Sequence, residues 1–177
     1  SIEGNGTGGV TYNTSGADYA EYLPLAAGAQ PPAAGAVVGI VDGEVVPGAE
    51  TAERFMAVSD QAAVAGNSPG EDTSGHALVC FLGQLPVRVS GPAAAGDFIV
   101  AGSDGAGVAV PESELTEADL GRLIGQALES APDSGIKRVN TLIGLTETAC
   151  RTALRNELAK RDALISRLAN QARRRDQ

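Results

Sequence analysis

The sequence predicts a mainly β fold: a small domain of short antiparallel strands, followed by a C-terminal α-helix that forms a trimeric coiled coil. Three observations carry this. Glycine and proline supply 32 of the 177 residues, the proportion of a chain that turns often between short strands. The apolar residues gather in β-branched runs separated by turn-forming clusters. From about Thr146 to Arg173 glycine and proline vanish, and Ala, Leu, Arg, Glu and Lys dominate, all good helix formers. With 43% hydrophobic but only 3% aromatic residues and no Trp, the core has to be built from Val, Ile, Leu and Ala.

Residues 1–16 are rich in Gly, Asn, Thr and Ser and read as an extended N-terminal arm. The chain opens on Ser1 rather than Met, as a fragment, a processed product or a trimmed chain would. The β-rich domain is expected over residues 17–143. Ala36–Val41, the turn Asp42-Gly43 and Glu44–Pro47 form a strong hairpin signal. Arg54–Val58 is the next strand, and residues 66–76 read as loop. Ala77–Leu82 and Leu85–Val89 are two strands broken at Gly83-Gln84, with Leu85, Val87 and Val89 inward, Arg88 outward, and Pro86 marking an edge or a strand start. Phe98–Ala101 returns through Ser103-Asp104-Gly105 into Gly107–Val110. Thr116 caps one short helical turn. Leu123–Leu128 and Ile136–Asn140 pair across Pro132–Gly135.

In the last segment, 144–177, Leu154, Leu158, Ile165, Leu168 and Ala172 follow the alternating four-three spacing of a coiled-coil seam, interrupted by Arg161. So narrow a stripe covers little of a globular core, and an isolated helix of this length is marginal in water. The seam therefore calls for copies of itself, with Arg161 either fixing the register or meeting Asp162 of a neighbour. The alternative is a helix folded back on its own β domain.

Charge is unevenly spread. Residues 1–135 carry 3 basic and 18 acidic side chains, whereas residues 136–177 carry 10 basic and 4 acidic, within a total of −9. The basic residues are interleaved with acids and accompanied by no aromatics, which argues against nucleic acid and for attraction to an acidic domain. No apolar stretch reaches the about 18 residues of a membrane-spanning helix. Cys80 and Cys150 lie too far apart for a metal-ligand motif or a disulfide framework, and both read as packing residues. The single histidine, His76, sits in a Gly-Ser-Pro-rich loop and reads as solvated. The chain has no phosphate-cradling loop and no Ser elbow between glycines, so a turnover enzyme acting on a separate substrate is a poor fit.

One segment is dense in chemistry: Gly16-Ala17-Asp18-Tyr19-Ala20-Glu21-Tyr22-Leu23-Pro24. As a helical turn it would set the carboxylates of Asp18 and Glu21 on one face, where closeness drives two pKa values apart and supplies an acid and a base. As a purely structural feature it would be a capped turn anchored by Tyr19 and Tyr22.

This segment resembles the ADYAE signature of the C-terminal intramolecular-chaperone autoprocessing domains of phage tail spikes and tail fibres. Further motifs follow in the same order. Leu82-Gly83-Gln84-Leu85-Pro86-Val87-Arg88-Val89 is similar to that family's GRVPVKV, Ala95-Gly96-Asp97-Phe98-Ile99-Val100 to its GDYL, and Ile124-Gly125-Gln126-Ala127-Leu128-Glu129 to its IGKALE. The resemblance covers about residues 8–140. It implies a homotrimer that aligns an upstream fibre segment of the same polypeptide, in a virion tail fibre or as a released assembly fragment in the host cytoplasm. It implies single-turnover autoproteolysis near the N-terminal border, with Asp18 and Glu21 as the acidic residues and Ser1 as the first residue after the cut. No metal, cofactor, nucleic acid or membrane is implied. A permanent trimeric end-knob that binds a receptor or glycan without cleavage is the competing reading.

Overall fold

The computed structural model describes residues 2–4, 10–12, 16–48, 51–144 and 146–175. In chain order the strands are β1 (Ile2–Gly4), β2 (Val10–Tyr12), β3 (Ala17–Pro24), β4 (Val37–Val41), β5 (Glu44–Pro47), β6 (Arg54–Ala57), β7 (Val64–Gly66), β8 (His76–Ser90), β9 (Phe98–Ala101), β10 (Gly107–Val110), β11 (Leu123–Ala127) and β12 (Lys137–Ile143). The helices are α1 (Glu117–Leu120), between β10 and β11, and α2 (Thr146–Arg175), after β12.

The main sheet runs β10-β9-β11-β12-β8-β3-β7. A parallel pairing of Gly107 with Val89 and Val108 with Ser90 returns β10 to β8, so five of its strands close into a small barrel. β3 and β7 extend from β8 as a wing. A second sheet, β5-β4-β6, is built on the expected hairpin. Its turn places Asp42 at φ 50° and Gly43 at φ 81°, the left-handed pair that an Asp-Gly hairpin requires.

β8 differs most from expectation. It is one strand of 15 residues, not two. Its first half, through Gln84, pairs antiparallel with β3, and its second half, from Gly83, pairs with β12. The hand-over falls on Gly83, which holds φ 118°. A Cβ there would lie 2.4 Å from the Ala17 carbonyl oxygen. Pro86 follows where β3 has already ended, so it needs no amide on that flank.

The inward residues of the barrel strands, including Leu85, Val87, Val89, Ile99, Ile124, Val139 and Ile143, form one cluster with Val37, Phe55 and Ala57 of the smaller sheet. That smaller sheet is buried on both faces. Val38, Ile40, Val45, Met56 and Val58 pack against Ala77, Val79, Leu23 and Leu25. β9 is also buried on both faces: Phe98 and Val100 point out of the barrel onto Leu115, Ala149 and Ala153. The core is aliphatic, as composition requires, with Phe98 and Phe55 added. Thr116 caps α1 as expected, its amide (2.9 Å) and hydroxyl (2.6 Å) both donating to Asp119.

Three further expectations are corrected. The 16–24 segment is a strand, because β8 offers it a ladder along its whole length. His76 is not a solvated loop residue but the half-buried first residue of β8, opposite Pro24. Cys150 is exposed, because the helix turns it away from the cluster that takes Ala149 and Ala153. The short β1–β2 pairing falls in the predicted arm.

The constraint at Gly83 is testable. Gly83→Ala should cost roughly 2–4 kcal/mol, because it adds both a clash and a φ that L residues avoid. Gly43→Ala, whose Cβ meets nothing within 4 Å, should cost less. Urea denaturation of the two variants gives the comparison.

Candidate functional site

The N-terminal border of the domain is threaded closely. A Cβ at Gly16 would lie 1.8 Å from the Gln61 carbonyl oxygen, and two residues on the Ala63 amide donates to the Asp18 carbonyl at 2.8 Å. The chain thus passes under residues 61–63 before joining the sheet as β3.

Side chains alternate along a strand, so residues three apart face opposite ways. Asp18 and Ala20 point inward, and Tyr19 and Glu21 outward. The same-face carboxylate pair that a helical turn would create is therefore not formed, and Asp18 and Glu21 of one chain do not share a proton. Asp18 is 4% exposed. Its carboxylate is hydrogen-bonded to the Cys80 thiol, whose pKa is pushed up to about 12, by burial first and then by the charge and hydrogen bond of Asp18. The other oxygen, Oδ2, is buried with no hydrogen-bond partner among the described residues. Such a group is costly to retain.

Glu21 instead accepts a hydrogen bond from the Tyr19 hydroxyl. That bond, with burial and the negative charge of Glu21, raises the Tyr19 pKa. His76 lies seven residues along β8 from Gly83, the position facing Asp18, about 20 Å away in an extended strand, so it forms no dyad with it. Ser1 lies outside the described residues. Among the described residues no group of three His, Cys, Asp or Glu side chains could hold a metal ion.

Beside Asp18 runs an open groove lined by Gly16, Ala17, Asp60, Gln61, Gln84 and Asn140, among others. Asp60 is paired with Arg138 at 3.0 Å, and the Asn140 amide donates to Gln84 at 3.2 Å. A buried, half-satisfied carboxylate therefore lies next to a polar groove where the chain enters the domain. Sequence reasoning missed Cys80 as the partner of Asp18, since 61 residues separate them. It could have found the inward direction of Asp18 by reading this segment with period two.

The second candidate is α2. Its first turns dock on the domain. Ala149 and Ala153 are buried, the Thr152 hydroxyl reaches Glu112, and the Asn156 amide donates to the carbonyls of Glu112 and Leu115 at 2.8 and 3.0 Å. Beyond Asn156 the described side chains are exposed. Leu154, Leu158, Ile165 and Leu168 are 50–63% exposed, Leu164 joins them, and Arg161 is exposed too. At 100° per residue the stripe lies roughly 150° round the helix from the docking face. The helix thus packs on its own β domain only through its first turns, and its described side chains beyond Asn156 do not fold back on it. No helix among the described residues is long and apolar enough to cross a membrane.

No protein-family model matches the chain, and no curated protein matches it. Its fold does resemble that of a phage protein. The pre-mature form of bacteriophage phi29 gene product 12 aligns over 77% of this chain with a TM-score of 0.52 and 13% identity. The aligned part is 23% of that protein's chain, so this module corresponds to a small portion of it. At that identity the likeness is one of fold.

The two cysteines make the site's electrostatics measurable. At pH 8 a maleimide should label Cys150 rapidly and Cys80 only after unfolding, giving one reactive thiol per native chain and two in denaturant. Because the folded pKa of Cys80 lies above the ordinary 9.0, its contribution to stability is fully present below pH 9. It should be lost as pH rises towards about 12, which denaturant midpoints across that window will register.

Proposed function

We propose that this module is a C-terminal assembly unit of a fibrous phage tail protein: it joins three copies through α2, aligns the upstream chains, and is released by a single self-cleavage near its N-terminal border. The observation that carries this reading is the apolar stripe on a projecting helix, facing away from the surface that holds the helix to its own domain. The likeness to a phage gene product in pre-mature form supports the setting, and the ordered motifs from Asp18 to Glu129 support the module type.

The energetics explain why a companion is needed. Full burial of a Leu or Ile side chain is worth about 1.5–3 kcal/mol, so four seam residues already half-covered gain roughly 3–6 kcal/mol per chain. Association costs about 4–15 kcal/mol. Pairing along one edge of the stripe is marginal, whereas a bundle of three covers each stripe from two sides. Bringing three chains together raises their effective concentration, which relieves the slow step of long-range β pairing upstream.

For release, Asp18 is the residue positioned to accept a proton from an attacking water or hydroxyl. The oxygen bonds to the carbonyl carbon, the C–N bond breaks, and the amine leaves with a proton. Glu21, on the outer face, has no access to that groove within its own chain, and its part in the reaction would be played across a chain boundary.

Light scattering at micromolar concentration should report three times 17.8 kDa, and Leu158→Asp should reduce this to one chain. Arg161→Leu should tighten the assembly while shifting its size or register; an unchanged assembly removes the specifying role of Arg161. Expressed with its natural upstream segment, the protein should give two smaller bands on a denaturing gel, and Asp18→Ala should give one. An uncut wild-type band would leave the module as a permanent end-knob.

A further inference from the structure

The outer face of the wing carries an apolar patch that the domain itself does not cover. Val64 on β7, Tyr19 on β3 and Leu82 on β8 stand in one row across three strands, each paired with the next. Val64 and Leu82 are 58% and 57% exposed. A bulge in β8 enlarges the row. Tyr19 pairs with Leu82 but Ala20 pairs with Cys80, so Phe81 is an extra residue. In an unbroken strand Phe81 and Leu82 would face opposite ways. The bulge turns both outward, and the Phe81 ring meets the Tyr19 ring edge-on, with centroids 6.3 Å apart. The chain has only three Phe and three Tyr, and it places two of them here. A contiguous exposed patch with aromatic members is a mark of an interaction surface.

Its place in the fold says what covers it. A Cβ at Gly144 would lie 2.6 Å from Leu82 Cδ1, and α2 begins two residues later. The patch is therefore at the foot of the projecting helix. In a cyclic trimer the helices run parallel, with axes about 8–10 Å apart, and their feet are brought side by side. The charges suit the same neighbour. Glu21 borders the patch through Tyr19, while the hollow that contains Phe81 and Gly144 is lined by both Glu53 and Arg54. The foot of α2 exposes Arg151, whereas Arg155 beside it is paired with Glu112 of its own chain at 3.8 Å.

We infer that this patch is a second contact between copies, covered by the foot of a sister chain, with Arg151 of that chain facing Glu21. The inference rests on the reading that α2 self-associates, and the experiment separates the two. In the full chain, Val64→Ser with Leu82→Ser changes only side chains that are more than half exposed, so the circular dichroism spectrum should not move. The concentration at which the assembly half-dissociates, measured by sedimentation, should rise at least about tenfold. In a Cys150→Ser background, Leu82→Cys should react with a maleimide several times more slowly when assembled than when Leu158→Asp keeps the chain single.

If wild type assembles and both measurements are unmoved, the patch is not an interface, and the helix reading stands without it. If wild type remains a single chain even at high micromolar concentration, both readings fall. If the double variant dissociates more readily but Leu82→Cys reacts equally in both states, the loss came from elsewhere and the proposed contact is overturned.

Discussion

The structure depends on a single strand that serves first the wing and then the barrel of the main sheet. β8 spends its first half against β3 and its second half against β12, and its last residues also close the barrel onto β10. Val79 on the same strand bridges Val58, at the end of β6, so the smaller sheet hangs on it too. A strand can change partners this abruptly only where no side chain stands in the way, and Gly83 is that place. The close approach of Ala17 and Asp18 to Gly83 fixes where the N-terminal strand starts and turns Asp18 towards the core. The bulge at Phe81, two residues earlier, re-aims the outer face. The candidate groove and the apolar patch are thus two consequences of one irregular stretch of strand.

The helix resolves a conflict between two faces. Small and polar residues, Ala149, Thr152, Ala153 and Asn156, dock it against β9 and the 112–115 segment. Large apolar residues lie on the other side and continue to Leu168, about 18 Å beyond the last docked residue. A helix meant only to finish the domain would reverse this, placing its leucines inward. The short docking face sets direction, and the long free face sets what the helix can join. Its basic character, beside an acidic domain, weakens repulsion between copies that would otherwise bring a large negative charge together.

Asp18 is the clearest departure from what stability alone would choose. A buried carboxylate with one oxygen held by a thiol and the other without a partner costs more than an alanine would. Sequences keep such groups where chemistry or specificity requires them, and stability is found elsewhere, here in an aliphatic core closed on several faces. Its position beside the point where the upstream chain joins the domain ties that cost to the N-terminal border rather than to a pocket for a free substrate.

Most of the fold was legible in the sequence. The Asp42-Gly43 hairpin, the Phe98–Val110 return, the Thr116 cap, the β11–β12 pair and the final helix follow from turn chemistry, capping and periodicity, which act over a few residues. The four-three stripe was legible for the same reason. The single course of β8, the pairing of β7, the inward turn of Asp18 and its bond to Cys80 depend on which strands meet across 45 or more residues, and no local signal records that. The 16–24 segment shows the difference. Its residues are compatible with a turn or a strand, and the ladder offered by β8 decides between them. By itself the sequence determined the β-rich class, the hairpins and returns whose turns are local, the final helix and the face of that helix that is apolar. Only the tertiary structure decided which faces are left uncovered, because exposure is a property of what packs against a residue and not of the residue.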